Sequence, residues 1–284
     1  MGAIPSAARN AFTSQYRILL YGDSNTAGFV EHGTRFVPYG DSLQIQLADL
    51  GINCKISRCG LCGYTAKEMA DKMGSRLLAR KHGCGEDGKG LMTYLRKDSG
   101  YDLVVIMAGT NDLLVGSAPQ VALQSIIRLH AACHAEGIRT VAIAPSFAMN
   151  QAARHQLASG LLKYANANSD VIGFADIEAL LPRTSRNAYW DNDLVHMTAL
   201  GSAVFGERLA DELRSNLEDL EMDMENCRSE ELEAISVRAF RSMATKESQQ
   251  NKMIQSMQYH PTLFTCRSQI QIHRSPFSLG PRVC

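Results

Sequence analysis

The sequence predicts an α/β fold, a three-layer α/β/α sandwich with about five parallel strands. Two observations predict it. Short β-branched and apolar runs recur along roughly the first two hundred residues, and segments with helical hydrophobic spacing separate them. The strongest run, residues 102–108 (DLVVIMA), is apolar on both faces, as a strand covered on both sides must be. The composition agrees. Of 284 residues, 45% are hydrophobic and 20% charged, enough to build a large core without a metal or disulfide.

The elements follow in order. Residues 16–21 (YRILLY) form the first strand and 54–58 (CKISR) the second. Residues 102–108 form the third, 139–145 (RTVAIAP) the fourth and 171–177 (VIGFADI) the fifth. Between the third and fourth, Ser117 and Gln120 read as a capping box, with Pro119 in the first turn. Ala122, Ile126, Leu129 and Cys133 then share a face, and Gly137 is the stop. A last helix is written by Leu200, Val204, Leu209, Leu213, Leu217 and Leu220. Residues 82–100 are Gly-rich and charged, a surface insertion with a short helix at 91–96.

These patterns divide the chain into an N-terminal extension at 1–15, one α/β domain at 16–217 and a tail at 218–284. The tail is expected to be disordered or loosely attached. Residues 217–233 hold eight acidic residues and one arginine, and from 251 onward there are basic residues but no acid. Lys plus Arg and Asp plus Glu both number 29, so the net charge is zero. That balance argues against nucleic acid as a partner and leaves no polybasic patch for a membrane. No apolar run is long enough to span a bilayer, and residues 1–15 contain no apolar leader. The expected location is cytoplasmic, with the eight cysteines as free thiols. Gly2 begins a minimal N-myristoylation pattern, without a basic cluster to reinforce it.

Four blocks carry candidate chemistry. Gly22-Asp23-Ser24-Asn25 follows the first strand, at the end where open parallel sheets bind ligands. Gly60-Leu61-Cys62-Gly63 follows the second, with glycines that let backbone amides approach a ligand. Gly109-Thr110-Asn111-Asp112 follows the third, where an asparagine amide can face a developing negative charge. Asp193-Leu194-Val195-His196 opens the last helix, at a spacing that folds a carboxylate back onto an imidazole. Each block taken singly is also what an ordinary turn looks like.

In this order the blocks resemble those of the SGNH hydrolases, also called the GDSL esterase and lipase family. The flanks RILLYGDSNTAGF, GLCGYTA, DLVVIMAGTNDLL and DLVHMTALG agree, and the third is similar to the arylesterase and acyltransferase branch. The resemblance spans residues 16 to about 217 and implies a flavodoxin-like sheet. It implies Ser24 as nucleophile, His196 as general base and Asp193 as its orienting acid. The oxyanion hole would comprise the amides of Ser24 and Gly63 and the side chain of Asn111, with Asp23 bracing the nucleophile loop. No cofactor or metal is implied. The implied substrate is a small carboxylic ester, with acyl transfer to alcohols as a further outcome. A carbohydrate deacetylase, a lysophospholipase and a non-catalytic scaffold are the alternatives. Asn25 departs from the family, which often has Leu or Ile there, and Cys62 stands where Ser is common.

Trp190, Phe29, Leu113 and Phe147 are candidate walls of a substrate pocket, with a packing role for Trp190 as the alternative. Cys59-x-x-Cys62, with His82 and Cys84, is a zinc or redox candidate that lacks a second ligand pair at the usual spacing.

Overall fold

The computed structural model describes residues 15–81, 85–95, 100–183 and 188–258. Gly2, His82 and Cys84 therefore lie outside the described residues. In chain order the elements are β1 (Tyr16–Gly22), α1 (Ser24–Ala27), β2 (Phe29–Val30), β3 (Arg35–Phe36), α2 (Tyr39–Asp49), β4 (Cys54–Gly60), α3 (Ala66–Asp71), α4 (Met92–Leu95), β5 (Leu103–Met107), α5 (Thr110–Leu114), α6 (Pro119–Ala135), β6 (Arg139–Ala144), α7 (Gln151–Ala167), β7 (Val171–Asp176), α8 (Ile177–Leu180) and α9 (Ala199–Gln258).

Five strands form one parallel sheet in the order β4-β1-β5-β6-β7. Alternation along β1 and β5 builds the layers on either side. Leu19, Tyr21, Val104 and Ile106 point into one core, with Met69 of α3, Ile126, Leu129 and Cys133 of α6, and Leu157 and Leu161 of α7. On the other face Gly40 of α2 lies against Leu20, and Tyr39 of α2 meets Phe205 of α9 edge to face at 5.0 Å. Right-handed crossovers that run one way from β1 to β4 and the other way to β5 put a topological switch beside β1. That switch is where the chemistry-bearing blocks emerge.

Three local expectations are corrected. Helix α6 has no capping box: its N-cap is Ala118, which makes no side-chain cap bond, because Ser117 lies one residue too early. Pro119 at the first position has no N–H to satisfy. In α9, Leu200 is 53% exposed, and the core face is carried by Phe205, Leu209, Ala210, Leu213, Leu217 and Leu220. Finally, residues 218–258 are helical, against the disorder that is expected there as the alternative to loose attachment. No glycine or proline interrupts the chain between Gly206 and Pro261, so charge density alone does not stop the helix.

The chain divides into two compact units, Met1–Asp223 and Met224–Cys284. The first holds the sheet. In the second, the helical residues Leu232, Ile235, Val237, Met243, Met253 and Ile254 are all exposed.

A buried histidine makes acid stability testable. His130 is fully buried on α6, with Nδ1 2.7 Å from Thr140 Oγ1, and His134 Nε2 is 2.9 Å from the same oxygen. Burial, reinforced by His134, pushes the pKa of His130 down to about 3. The folded protein therefore binds fewer protons here than the unfolded chain between the ordinary imidazole pKa and about pH 3. Stability is lost as pH falls through that window, on the order of 1.4 kcal/mol per pH unit. Denaturant midpoints measured from pH 7 to pH 4 should fall less steeply in His130→Asn than in the wild type. Equal slopes would exclude His130 as the cause.

Candidate active site

Strand β1 ends at Gly22, where an added Cβ would stand 2.3 Å from the Met107 carbonyl oxygen of β5. Only glycine lets the two strand ends run this close. Asp23 then caps the short helix α1, its Oδ1 accepting the Asn25 N–H at 3.0 Å. Asp23 is wholly buried, and burial raises its pKa. Ser24 is the first residue of the helix, 5% exposed.

The second and third blocks are tied together. Gly63 adopts φ +74°, a left-handed conformation that costs other residues energy. Asn111 Nδ2 donates to the Tyr64 carbonyl at 3.0 Å, so the asparagine reaches the Gly63 turn. Asp112, buried beside it, accepts the Ala66 N–H at 2.6 Å and the Lys67 N–H at 3.4 Å, fastening the start of α3. Thr65 and Glu68 complete a capping box there. Lys81 bonds both Glu68 oxygens, donates to the Gly63 carbonyl at 3.2 Å and lies over the Tyr64 ring.

The fourth block is a tight turn strained at Leu194, a non-glycine residue at φ +59°. Asp193 Oδ1 accepts the Val195 and His196 N–H groups, both at 2.9 Å. Its Oδ2 lies 2.6 Å from His196 Nδ1. Burial works to raise the Asp193 pKa, but the bonds from the His196 ring and the two amides outweigh it and hold the carboxyl far below the ordinary range. His196 Nε2 lies 2.8 Å from Ser24 Oγ. Carboxylate, imidazole and hydroxyl thus form one hydrogen-bonded chain between residues 172 positions apart.

The sequence profile of the GDSL-like lipase and acylhydrolase family matches residues 20–204, a span that includes all four blocks. The chain belongs to this family. Its members are lipases and acylhydrolases, which places the chain among ester-hydrolysing enzymes. No curated protein matches the sequence. Solved structures share the fold of this GDSL-like chain at low identity. The psychrotrophic esterase EstA from Pseudoalteromonas sp. is 14% identical, with a TM-score of 0.55 over 72% of this chain and 100% of its own. A family 3 carbohydrate esterase from Clostridium thermocellum is 18% identical, with 0.55 over 73% and 100%. A putative arylesterase from Agrobacterium tumefaciens is 22% identical, with 0.54 over 71% and 99%.

The four aromatic and apolar candidates part company. Phe29 stacks on the His196 ring, centroids 4.1 Å apart. Trp190 packs under the Arg183 guanidinium at 3.8 Å, donates Nε1–H to the Leu181 carbonyl and pairs with Met197 across an antiparallel bridge. That is the packing role, which steadies the loop bearing His196. Leu113 and Phe147 are buried in the main core cluster, so they serve the core where a pocket wall is expected. A cleft of about 510 Å³ is lined by Val30, His32, Asp191, Thr198 and Leu200 among others, and neither Phe29 nor His196 is among its lining residues. Cys59 and Cys62 are both buried, and no group of metal ligands forms among the described residues. No described helix is long and apolar enough to cross a membrane.

Lys81, Ser146 and the side chain of Asn25 have no role in the sequence reading, and Asp112 figures there only as part of a turn. Asp112 follows directly on Asn111, but the amides it accepts belong to α3, 45 and 46 positions away, so this role leaves no local signal. Lys81 and Ser146 carry no local signal, because their partners are distant in the chain.

Proposed function

We propose that this chain is a serine esterase that hydrolyses small carboxylic esters through an acyl-enzyme on Ser24. The observation that carries the reading is the 2.8 Å separation of Ser24 Oγ and His196 Nε2. As the hydroxyl attacks the ester carbonyl carbon, its proton passes to Nε2. The imidazolium that forms is stabilised by Asp193, whose depressed pKa keeps it ionised. The carbonyl oxygen gains negative charge and is met by the N–H groups of Ser24 and Gly63 and the second Nδ2 proton of Asn111. Collapse expels the alcohol, which takes the proton from His196. Water then repeats the sequence on the acyl-enzyme and releases the acid. None of these steps calls for a cofactor.

Replacement of Asn111 by Ala is expected to lower kcat by roughly 10²–10³-fold, the ordinary cost of one oxyanion donor. Part of the loss would come from freeing the Tyr64 carbonyl and with it the Gly63 turn. Steady-state rates on a short-chain aryl ester check this.

A carbohydrate deacetylase is the second reading, favoured by the fold shared with the family 3 carbohydrate esterase. The test is a panel of aryl esters of increasing acyl length, acetylated sugars and lysophospholipids. The primary reading requires the highest kcat/KM on a short aryl ester, and preference for an acetylated sugar replaces it with the second. EstA is described as inhibited by monoethylphosphonate, so a fluorophosphonate is the apt probe of the serine. Folded protein that takes no label at Ser24 would point to a non-catalytic scaffold.

A further inference from the structure

We propose that Asn25 is a positioning residue whose buried side-chain amide clamps the backbone on both sides of His196 and thereby sets the imidazole against Ser24. The inference rests on the reading of His196 as the base.

Asn25 follows the serine on α1 and is 2% exposed. Its Nδ2 donates to the Val195 carbonyl at 3.3 Å, and its Oδ1 accepts the Met197 N–H at 3.3 Å. Only one orientation of the amide is allowed, since the reverse would face donor to donor and acceptor to acceptor. The peptide groups between these contacts are paired too. The His196 N–H goes to Asp193 Oδ1 and the His196 carbonyl accepts the Asp191 N–H, each at 2.9 Å. Those bonds lie within the loop and hold its shape. The outer bonds leave it, and two of them end on the residue next to the serine. Ser146 Oγ, at the end of β6, supplies a second donor to the Val195 carbonyl at 3.2 Å and itself receives Arg183 Nη2 at 2.9 Å.

The physical consequence is registration. Asp193 fixes the ring relative to its own turn, but it says nothing about where that turn sits over the sheet. Asn25 ties the turn to the short helix that carries the hydroxyl, so one rigid element bears Ser24 and the anchor of the base. An apolar side chain would fill the space but leave the Met197 N–H buried and unpaired, and the loop would shift to find a partner. Displacements of about 1 Å are enough to cost roughly 100-fold in rate.

The test uses the full chain with Asn25→Leu, Asn25→Ala and Asn25→Asp, assayed on a short-chain aryl ester well below each melting temperature. Asn25→Leu is expected to lower kcat by roughly 10–100-fold with KM within about twofold. Fluorophosphonate labelling of Ser24 should slow in parallel. Asn25→Asp keeps the size and the acceptor for the Met197 N–H but sets a carboxylate oxygen against the Val195 carbonyl, so its kcat should fall as well. If Asn25→Leu does not fold, Asn25→Ala removes the same two bonds without added bulk and carries the test. A folded Leu or Ala variant with wild-type kcat and only a lowered melting temperature would overturn the proposal, as would an Asp variant with wild-type kcat. Wild-type labelling at Ser24 keeps these outcomes separate from failure of the serine reading, which would show as no label on the wild type.

Discussion

Ser24→Ala should lower kcat by roughly 10⁴–10⁶-fold while leaving the melting temperature within about a degree of the wild type. The loss is large because, on the proposed mechanism, the hydroxyl is the atom that bonds to substrate. The fold should be indifferent, because Ser24 Oγ makes its bond to His196 Nε2 and the removed atom is small. Substrate is still held by the surrounding walls and amides, so KM should change little. The remaining rate is what the oxyanion donors achieve with water alone. The check is kcat on a short-chain aryl ester beside a thermal melt. A variant that keeps wild-type kcat would remove Ser24 from the mechanism.

Asp193→Asn should cost roughly 10⁴-fold in kcat, through the tautomer of the histidine. The two carboxylate oxygens do different work. Oδ1 receives two backbone N–H groups, so the amide oxygen of an introduced asparagine must take that place. The NH₂ group is then forced into the position of Oδ2, facing His196 Nδ1 as a donor. The imidazole must accept there and carry its proton on Nε2, where it meets the serine hydroxyl and cannot take its proton. The turn keeps its shape, so stability changes little. Near-normal kcat with a normal fold would show that His196 does not need this partner. The strongly depressed pKa of Asp193 adds a corollary: the acidic limb of kcat/KM should not be set by this carboxyl, which stays ionised throughout the range.

Much of the fold is legible along the chain because its strands announce themselves locally. The run at β5 is apolar on both faces since helices cover both, and burial of Leu103, Val104, Val105, Ile106 and Met107 follows directly. The blocks of the site are legible for a related reason. In a parallel sheet the residue after each strand emerges on one edge, so a serine, a glycine and an asparagine after successive strands share that edge. Two misreadings have plain causes. Leu200 fits the helical spacing but lies in the first turn of α9, before the core face begins. The charged composition of 218–258 suggests disorder, yet charged residues are good helix formers when neither glycine nor proline intervenes.

What the sequence by itself determined is the alternation of strands and helices, the parallel sheet and the identity of the four blocks. Those depend on local periodicity and on residue types that sit next to one another. Only the tertiary structure decided what holds the blocks in register. Asn25 reads as a neutral neighbour of the serine until its amide is seen on Val195 and Met197. Phe29 reads only as a candidate pocket wall, and its contact with the imidazole ring is seen in the structure alone. A hydrogen bond or a ring contact between residues about 170 positions apart leaves no mark on spacing, because it is made by the packing of elements after each has formed.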